Sequence, residues 1–253
     1  MNPGPTVPQT VALPGCATPR ARPQCIRAIL RHPETARPYC GDVVISRERA
    51  LARLHSRIRA CTKCVAAGRL PSAFPIVAGK ASDRVMIIGQ APGAVELTTG
   101  LPFSGRAGAE LRRWLAQAGI DEAHLPYRTS ITKCFPGKAA SGAGDRRPSP
   151  SEIALCASWL DAELTLVRPR VVLLVGTLAI ERFWGRVPLG EAVGRSRIDG
   201  ERVLIPLPHP SGASRWLNDP DNRVRLRRAL GVVRRAVRGL DNAGSAAKMH
   251  RST

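Results

Sequence analysis

Apolar residues fall along the chain in two patterns, short runs and longer stretches with helical spacing. Short runs typical of buried strands occupy 85–88, 171–175 and 203–207, and the stretch 129–132 suits a further strand. Helical spacing occupies 46–61, 107–118, 150–164, 177–184 and 221–240. Because strands alternate with helices, the pattern predicts an α/β fold: a three-layer α/β/α sandwich around a central, mainly parallel sheet of about four strands.

Three motifs directly follow or end predicted strands, at 89–93, 130–134 and 209–211. The carboxyl ends of parallel strands meet at one edge of a sheet, and α/β proteins bind their ligands there. We therefore expect the three motifs to form one site.

The flanks of this region differ from it in composition. Residues 1–44 are rich in Pro, Arg, Thr and Gly and lack clear periodicity, which predicts a disordered basic extension. Its arginines either contact phosphate or form a solvated tail, and a start codon assigned too far upstream is a further alternative. The expected organisation is a domain over 45–240 and a disordered tail over 241–253.

The charge balance indicates the class of partner. The chain of 253 residues carries 39 Lys and Arg against 19 Asp and Glu, a formal net charge of +20. This balance favours a polyanion, with nucleic acid ahead of a membrane surface. A genome rich in G and C is the alternative source of the arginines. No apolar run approaches about 18 residues and no secretory signal pattern is present, so we expect a cytoplasmic monomer without a membrane span.

Four of the seven cysteines have a spacing that suggests a shared metal centre: Cys61, Cys64, Cys134 and Cys156. Zinc and a [4Fe–4S] cluster both take four thiolates, and the long intervals here disfavour a compact zinc ribbon. Unliganded cysteines are the alternative, and a disulfide framework suits smaller secreted domains better. No role is assigned to Cys16, Cys25 and Cys40.

Three further features are candidates for chemistry. The turn 89–93 matches neither G-x-G-x-x-G nor the P-loop pattern, so it is either a turn that brings backbone N–H groups to a ligand or an ordinary βα turn. Phe103, in a loop, either stacks on a planar base or fills the core. His209, at a strand end, is either a hydrogen-bonding group of the site or structural.

In this order, the motifs resemble the iron–sulfur, or family 4, uracil-DNA glycosylases over about residues 50–236. The first active-site motif of that family is similar to GQAPG at 89–93 with GLPFSGRAG at 100–108. The second is similar to HPS at 209–211, and the cluster-binding stretches are similar to KC at 133–134 and EIALC at 152–156.

The resemblance implies a monofunctional DNA glycosylase of base excision repair, which hydrolyses the N-glycosidic bond of a flipped uracil or related deaminated base in DNA. It implies a structural [4Fe–4S] cluster on the four spaced cysteines and catalytic roles for Gln90 and His209, with His209 facing uracil O2 and Phe103 stacking on the base. The implied base-binding residues are Gly89, Ala91, Gly93, Glu96, Phe103 and Ser130. The implied DNA-contacting residues are Ser211, Arg215 and Trp216, and Trp216 is either a wedge in the duplex or a surface packing residue.

The chain departs from the family pattern at three positions. Gln90 stands where the family usually has Glu, Leu97 where it has Asp, and Ser130 where it has a uracil-reading Asn. Serine offers one short hydroxyl to the base edge, so the preferred base is open.

The stretch 137–144 also has the character of an inserted, basic, DNA-contacting loop. A catalytically weak or inactive iron–sulfur nucleic-acid-binding protein of the same fold is therefore the main alternative, ahead of an RNA-directed or zinc-containing module.

Overall fold

The computed structural model describes residues 40–121, 126–142, 144–211 and 215–249. The α-helices of this part are α1 Cys40–Arg59, α2 Lys63–Ala66, α3 Ala94–Thr99, α4 Arg106–Gln117, α5 Pro150–Val167, α6 Thr177–Phe183, α7 Leu189–Ala192 and α8 Pro220–Met249. The strands are β1 Val85–Gly89, β2 Tyr127–Ser130, β3 Val171–Val175, β4 Arg197–Asp199 and β5 Arg202–Leu207, and a 3-10 helix covers Arg215–Asn218.

The strands form one sheet in the order β2-β1-β3-β5-β4. The pairs from β2 to β5 are parallel and β4 pairs antiparallel with β5, so the prediction of a mainly parallel sheet is confirmed. The described sheet has five strands, whereas the sequence predicts about four. The sequence pattern misses β4 because all three of its residues are exposed and it contains no apolar run.

Each face of the sheet carries its own layer of helices. Met86 and Ile88 of β1 pack in a cluster with α1, α5 and α6, whereas Ile87 packs in a second cluster with α4 and α8. The five residues of β3 alternate between the same two clusters and are all buried. This alternation explains why β3 reads as a continuous apolar run, and it produces the predicted three-layer sandwich.

The helices at the two ends of this region extend past the predicted boundaries. The first begins at Cys40, before the expected start of the domain at 45, and α8 ends at Met249, beyond the expected end at 240. Residues 241–249 lack an apolar stripe but include Ala, Lys and Met, which are strong helix formers. The rest of the predicted extension and tail, residues 1–39 and 250–253, lies outside the described residues.

A buried polar network lies beneath β2. Lys133 and Glu163 are almost fully buried, and Lys133 Nζ lies 2.6 Å from Glu163 Oε2. Tyr127 donates to Glu163 Oε1 at 2.9 Å, and His55 Nε2 lies 2.7 Å from the Tyr127 hydroxyl. Thr129 joins the network by donating to the same carboxylate. The network therefore ties β2 to α5 and α1 through satisfied polar groups.

Candidate active site and cysteine pocket

A cavity of about 460 Å³ opens at the carboxyl ends of β1, β3 and β5. Two of the three strand-end motifs, 89–93 and 209–211, line it together with Glu96 and Phe103; the predicted residues among its walls are Gln90, Ala91, Gly93, Glu96, Phe103, His209 and Ser211. The motif 130–134 lines a second pocket instead, through Thr132, Lys133 and Cys134. Phe103 and His209 come from different loops and line the same cavity. The strand pattern predicts this position for His209, whereas Phe103 reaches the cavity from the loop before α4.

Phe103 lies over the end of β1, in the loop between α3 and α4. Its backbone is in the left-handed region, with φ 57°, and its carbonyl accepts a hydrogen bond from Arg112 Nη1 at 3.1 Å. A methyl group at Gly89 would come within 2.7 Å of Phe103 Cζ, and one at Gly108 would overlap the Phe103 carbonyl. Two glycines therefore allow the close approach that fixes the ring.

The contacts of His209 determine which nitrogen of its imidazole carries the proton. The Ser211 backbone N–H donates to His209 Nδ1 at 3.2 Å, and Ser211 Oγ lies 2.9 Å from the same nitrogen. Burial lowers the pKa of His209, and the charge of Asp145 partly opposes this shift. A neutral ring whose Nδ1 accepts a hydrogen bond carries its proton on Nε2, which makes Nε2–H a donor.

Glu96 is held at the start of α3. Its Oε2 accepts a hydrogen bond from the Gly93 backbone N–H at 2.9 Å, and the Glu96 N–H donates back to the Gly93 carbonyl at 3.2 Å. This capping arrangement fixes the turn after β1 beside Gln90. Glu96 therefore belongs to the cavity wall and holds the turn that forms the neighbouring part of it.

Ser130 does not line the cavity in the part of the chain that the structure describes. It is buried at the end of β2, where it pairs with Gly89, and its hydroxyl donates to the Thr132 carbonyl at 2.7 Å. The hydroxyl turns back because the chain bends after β2 and brings that carbonyl within reach. In this geometry the Ser130 hydroxyl faces the backbone rather than the cavity, and its contact with a base stays a prediction.

Two predicted DNA-contacting residues lie on the 3-10 helix after the second motif. Arg215 is exposed. Trp216 is half-buried and packs with Leu217 against the cluster that contains α4 and α8, and its carbonyl accepts from Asn222 at 3.0 Å. Of the two predicted roles for Trp216, this packing favours the surface packing residue over the wedge.

The inserted loop forms a rim of the cavity. A backbone bridge pairs Lys138 with Asp145, and the Arg146 N–H donates to the Gly137 carbonyl at 2.9 Å. Lys138, Asp145 and Arg146 all line the cavity. The sequence pattern indicates a basic loop but predicts no site role for Asp145 or Arg146, because neither belongs to a strand-end motif.

The four spaced cysteines line a second pocket. Cys61 and Cys64 lie at the junction of α1 and α2, Cys134 follows β2, and Cys156 is on α5. Apolar side chains form much of the rest of the pocket, which Lys63, Thr132, Lys133 and Glu152 also line: Leu70, Pro75, Leu155 and Trp159. Among the described residues, no group of three or more His, Cys, Asp or Glu side chains is arranged to hold a single metal ion. What the four thiols share is the pocket that they line.

The sulfur atoms of this pocket accept hydrogen bonds from nitrogen donors. Trp159 Nε1 donates to Cys61 Sγ at 3.2 Å, and the Lys133 backbone N–H donates to Cys156 Sγ at 3.2 Å. Burial raises the pKa of Cys134 to about 12 and also raises the pKa of Cys64 and Cys156. A thiolate here needs a cationic group beside it, since burial alone favours the neutral thiol.

One ion pair joins the two pockets. Arg146, on the cavity rim, contacts both carboxylate oxygens of Glu152 at 2.7 and 2.5 Å. Glu152 lines the cysteine pocket and forms a capping box with Ser149 at the start of α5. The hydrogen bonds from Arg146 hold the pKa of Glu152 down to about 2, so the carboxylate stays charged.

The fold and the cavity define an α/β protein with a ligand site at the carboxyl ends of its parallel strands. Residues 76–231 match a family model described as the uracil DNA glycosylase superfamily, and the chain belongs to that superfamily. The resemblance inferred from the motifs is therefore confirmed. In the described part of the chain, no helix has the length and apolar character of a membrane span.

The chain is similar to individual uracil-DNA glycosylases of type 4 and type 5. The chain is 29% identical over 174 residues to a type-4 uracil-DNA glycosylase of Thermotoga maritima, covering 66% of this chain and 84% of the relative. It is 30% identical over 174 residues to a type-4 enzyme of Pyrobaculum aerophilum, covering 65% and 85%. A type-5 uracil-DNA glycosylase of the same organism is 36% identical over 115 residues, covering 40% and 48%.

Proposed function

We propose that this protein is a monofunctional DNA glycosylase that hydrolyses the N-glycosidic bond of uracil, or of a related deaminated base, in DNA. The observation that carries the proposal is the cavity that Phe103 and His209 line together. The names of the relatives, which are uracil-DNA glycosylases, support the same reaction. The direct test is incubation with a uracil-containing oligonucleotide followed by alkaline cleavage at abasic sites.

His209 is suited to stabilise the departing base. Uracil leaves as an anion, with charge on O2, and the Nε2–H of a neutral imidazole is a donor for that oxygen. A preorganised donor of this kind is typically worth about 3–4 kcal/mol in the transition state. Ser211 maintains the required tautomer through its contacts with Nδ1. The role of His209 is to hold a proton at Nε2 without giving it up.

Phe103 and the basic surface are suited to capture a flipped nucleotide. An aromatic ring gives a planar base a stacking partner, and flipping costs a few kcal/mol. The net charge of +20 attracts the phosphate backbone and offsets part of this cost. Exposed Arg215, beside the second motif, is a candidate phosphate contact.

The fixed Phe103 ring supports a specific prediction. Gly89→Ala adds a methyl group 2.7 Å from Phe103 Cζ, which pushes the ring into the cavity. We expect a loss of about 100-fold in single-turnover excision, a typical cost of small misplacements in active sites. Gly231→Ala on α8, where the nearest atom is Arg235 Nη1 at 3.7 Å, is the matched control and should excise at the normal rate. Equal rates for both variants would contradict a role for the ring.

The cysteine pocket fits a [4Fe–4S] cluster held by Cys61, Cys64, Cys134 and Cys156. A zinc ion needs four ligands converging at about 2.3 Å, whereas a cluster occupies a larger space between its thiolates. Thiols that surround a shared apolar pocket and accept N–H hydrogen bonds suit the cluster better. When bound, it would supply a structural cross-link between α1, the segment after β2 and α5.

Metal analysis tests this assignment. Protein purified without oxygen should contain about four irons per chain, and Cys156→Ala should lose the iron and its visible absorbance. Cys25→Ser, which changes a cysteine without an assigned role, should retain both. Bound zinc in place of iron, or full iron content in Cys156→Ala, would contradict the assignment.

A catalytically weak or inactive DNA-binding protein is the second candidate. The observation that favours it is the Ser130 hydroxyl, which is committed to the Thr132 carbonyl and does not reach the cavity. Binding of uracil-containing DNA without abasic sites in the alkaline assay would support this alternative.

A further inference from the structure

We propose that Asp145 provides the catalytic carboxylate of the excision reaction. This inference rests on the proposed glycosylase function. Asp145 and Glu96 are the acidic residues among the described residues that line the cavity. Because Glu96 Oε2 caps α3 through the Gly93 N–H, Asp145 is the better candidate for a carboxylate that faces the substrate.

Backbone contacts of Asp145 and Arg146 with 137–138 give Asp145 a defined position on the rim. Its backbone pairs with Lys138, and the neighbouring bond from the Arg146 N–H to the Gly137 carbonyl, 2.9 Å, closes the loop. Lys138 Nζ lies 2.8 Å from Asp145 Oδ1. One carboxylate oxygen is therefore anchored, and Arg146 in turn is anchored to Glu152.

The other carboxylate oxygen points toward the glycine-rich turn. A methyl group at Gly93 would lie 3.0 Å from Asp145 Oδ2 and 2.8 Å from Glu96 Oε2, so the Asp145 oxygen lies against the turn beside the Glu96 carboxylate. The charge of Asp145 also acts on His209, whose pKa it raises against the effect of burial. The carboxylate therefore faces the same space as the group that we assign to uracil O2.

The negative charge of Asp145 at this position opposes DNA binding, and this cost suggests that the carboxylate has a catalytic function. A negative side chain at the mouth of a cavity that receives DNA repels phosphate, in a chain whose net charge is otherwise +20. The same charge favours a reaction that builds positive charge on the sugar, as glycosidic bond cleavage does. A carboxylate at this point lowers ground-state affinity and stabilises the transition state.

The chemical step balances with water as the co-reactant. The C1′–N1 bond breaks, its electron pair leaves with uracil N1, and C1′ acquires positive charge shared with the ring oxygen. A water oxygen then bonds to C1′ while its proton passes to the Asp145 carboxylate. The products are the uracil anion, held by His209, and an abasic deoxyribose that carries the new hydroxyl.

The test compares Asp145→Asn with wild type in single-turnover excision and in binding to uncleavable uracil-analogue DNA. We expect the excision rate to fall by about 100-fold, the lower end of general-base contributions, while affinity is unchanged or higher. Glu201→Gln is the matched control: Glu201 pairs with Arg170 at 2.7 Å, lies outside the cavity, and carries the same charge. Its excision rate should equal that of wild type.

A purely structural role for the loop gives a different result. Lys138→Met removes the ion pair but keeps the carboxylate, so it should retain at least about tenfold more activity than Asp145→Asn. Equal losses in the two variants, or weaker DNA binding by Asp145→Asn, would overturn the proposal. So would an undiminished rate in Asp145→Asn. Absence of excision by wild type would instead refute the glycosylase function itself.

Discussion

Replacement of His209 by alanine is expected to lower uracil excision by about 100- to 1,000-fold, because it removes a preorganised donor to the departing anion. Affinity for uracil-containing DNA should change by less than about threefold, since that donor acts mainly in the transition state. Single-turnover kinetics and equilibrium binding separate the two effects. A loss of affinity that equals the loss of rate would contradict the assigned role.

The pKa of His209 also predicts how the excision rate changes with pH. Burial lowers the pKa of His209, so the neutral form that donates from Nε2 predominates at neutral pH. Excision should be constant through neutral pH and should fall as the pH drops through the lowered pKa, below the ordinary histidine value of about 6.5. Protonation of Nδ1 removes the acceptor for the Ser211 N–H, so the ring loses the hydrogen bond that orients its Nε2–H. Ser211→Ala retains the backbone donor to Nδ1 and should show only part of the loss seen with His209→Ala.

The variant Glu163→Gln is expected to show the largest loss of stability, about 3–5 kcal/mol of unfolding free energy. The substitution leaves the Lys133 ammonium, 1% exposed, without its buried counter-charge. Urea unfolding, monitored by circular dichroism, measures the effect. The loss should be accompanied by disturbance of β2, because Thr129 and Tyr127 donate to the same carboxylate.

Two further variants isolate the contribution of the buried pair Lys133–Glu163 to stability. Asp161→Asn breaks an exposed pair with Arg182, at 3.2 Å, and should cost less than about 1 kcal/mol. The double variant Lys133→Met with Glu163→Leu removes both charges and should recover part of the stability lost in Glu163→Gln. A cost for Glu163→Gln no greater than that for Asp161→Asn would show that the buried pair contributes little.

The sequence predicts those parts of the fold that depend on apolar pattern. Strands β1, β3 and β5 are buried on both faces and therefore read as apolar runs, and the motifs at their ends meet as parallel topology requires. Exposed β4 has no such pattern. The path of the Ser130 hydroxyl could not be predicted either, because it depends on the bend after β2 rather than on residue type.

Most of the structural features that the sequence does not predict involve charged residues. Glu152 and Glu163 are buried on α5 in the same helical stripe as Cys156, Leu160 and Val167. The sequence shows the helical spacing of the two glutamates, but charged residues usually belong to a solvated face of a helix. Their burial is explained only by the positions of their partners, Arg146 for Glu152 and Lys133 for Glu163. Asp145 is similar, since its relevance arises from how the loop folds over the cavity.

The short segment 130–134 has a consequence for how this protein can diverge. Its backbone donates hydrogen bonds to the carbonyls of Gly89 and Gln90, in the turn that borders the cavity, and its Thr132, Lys133 and Cys134 line the cysteine pocket. The segment therefore connects the walls of the two pockets. A substitution that adapts one pocket shifts the walls of the other. Lineages that acquire a new base preference should therefore accumulate paired changes across this segment, and isolated changes within it should rarely survive selection.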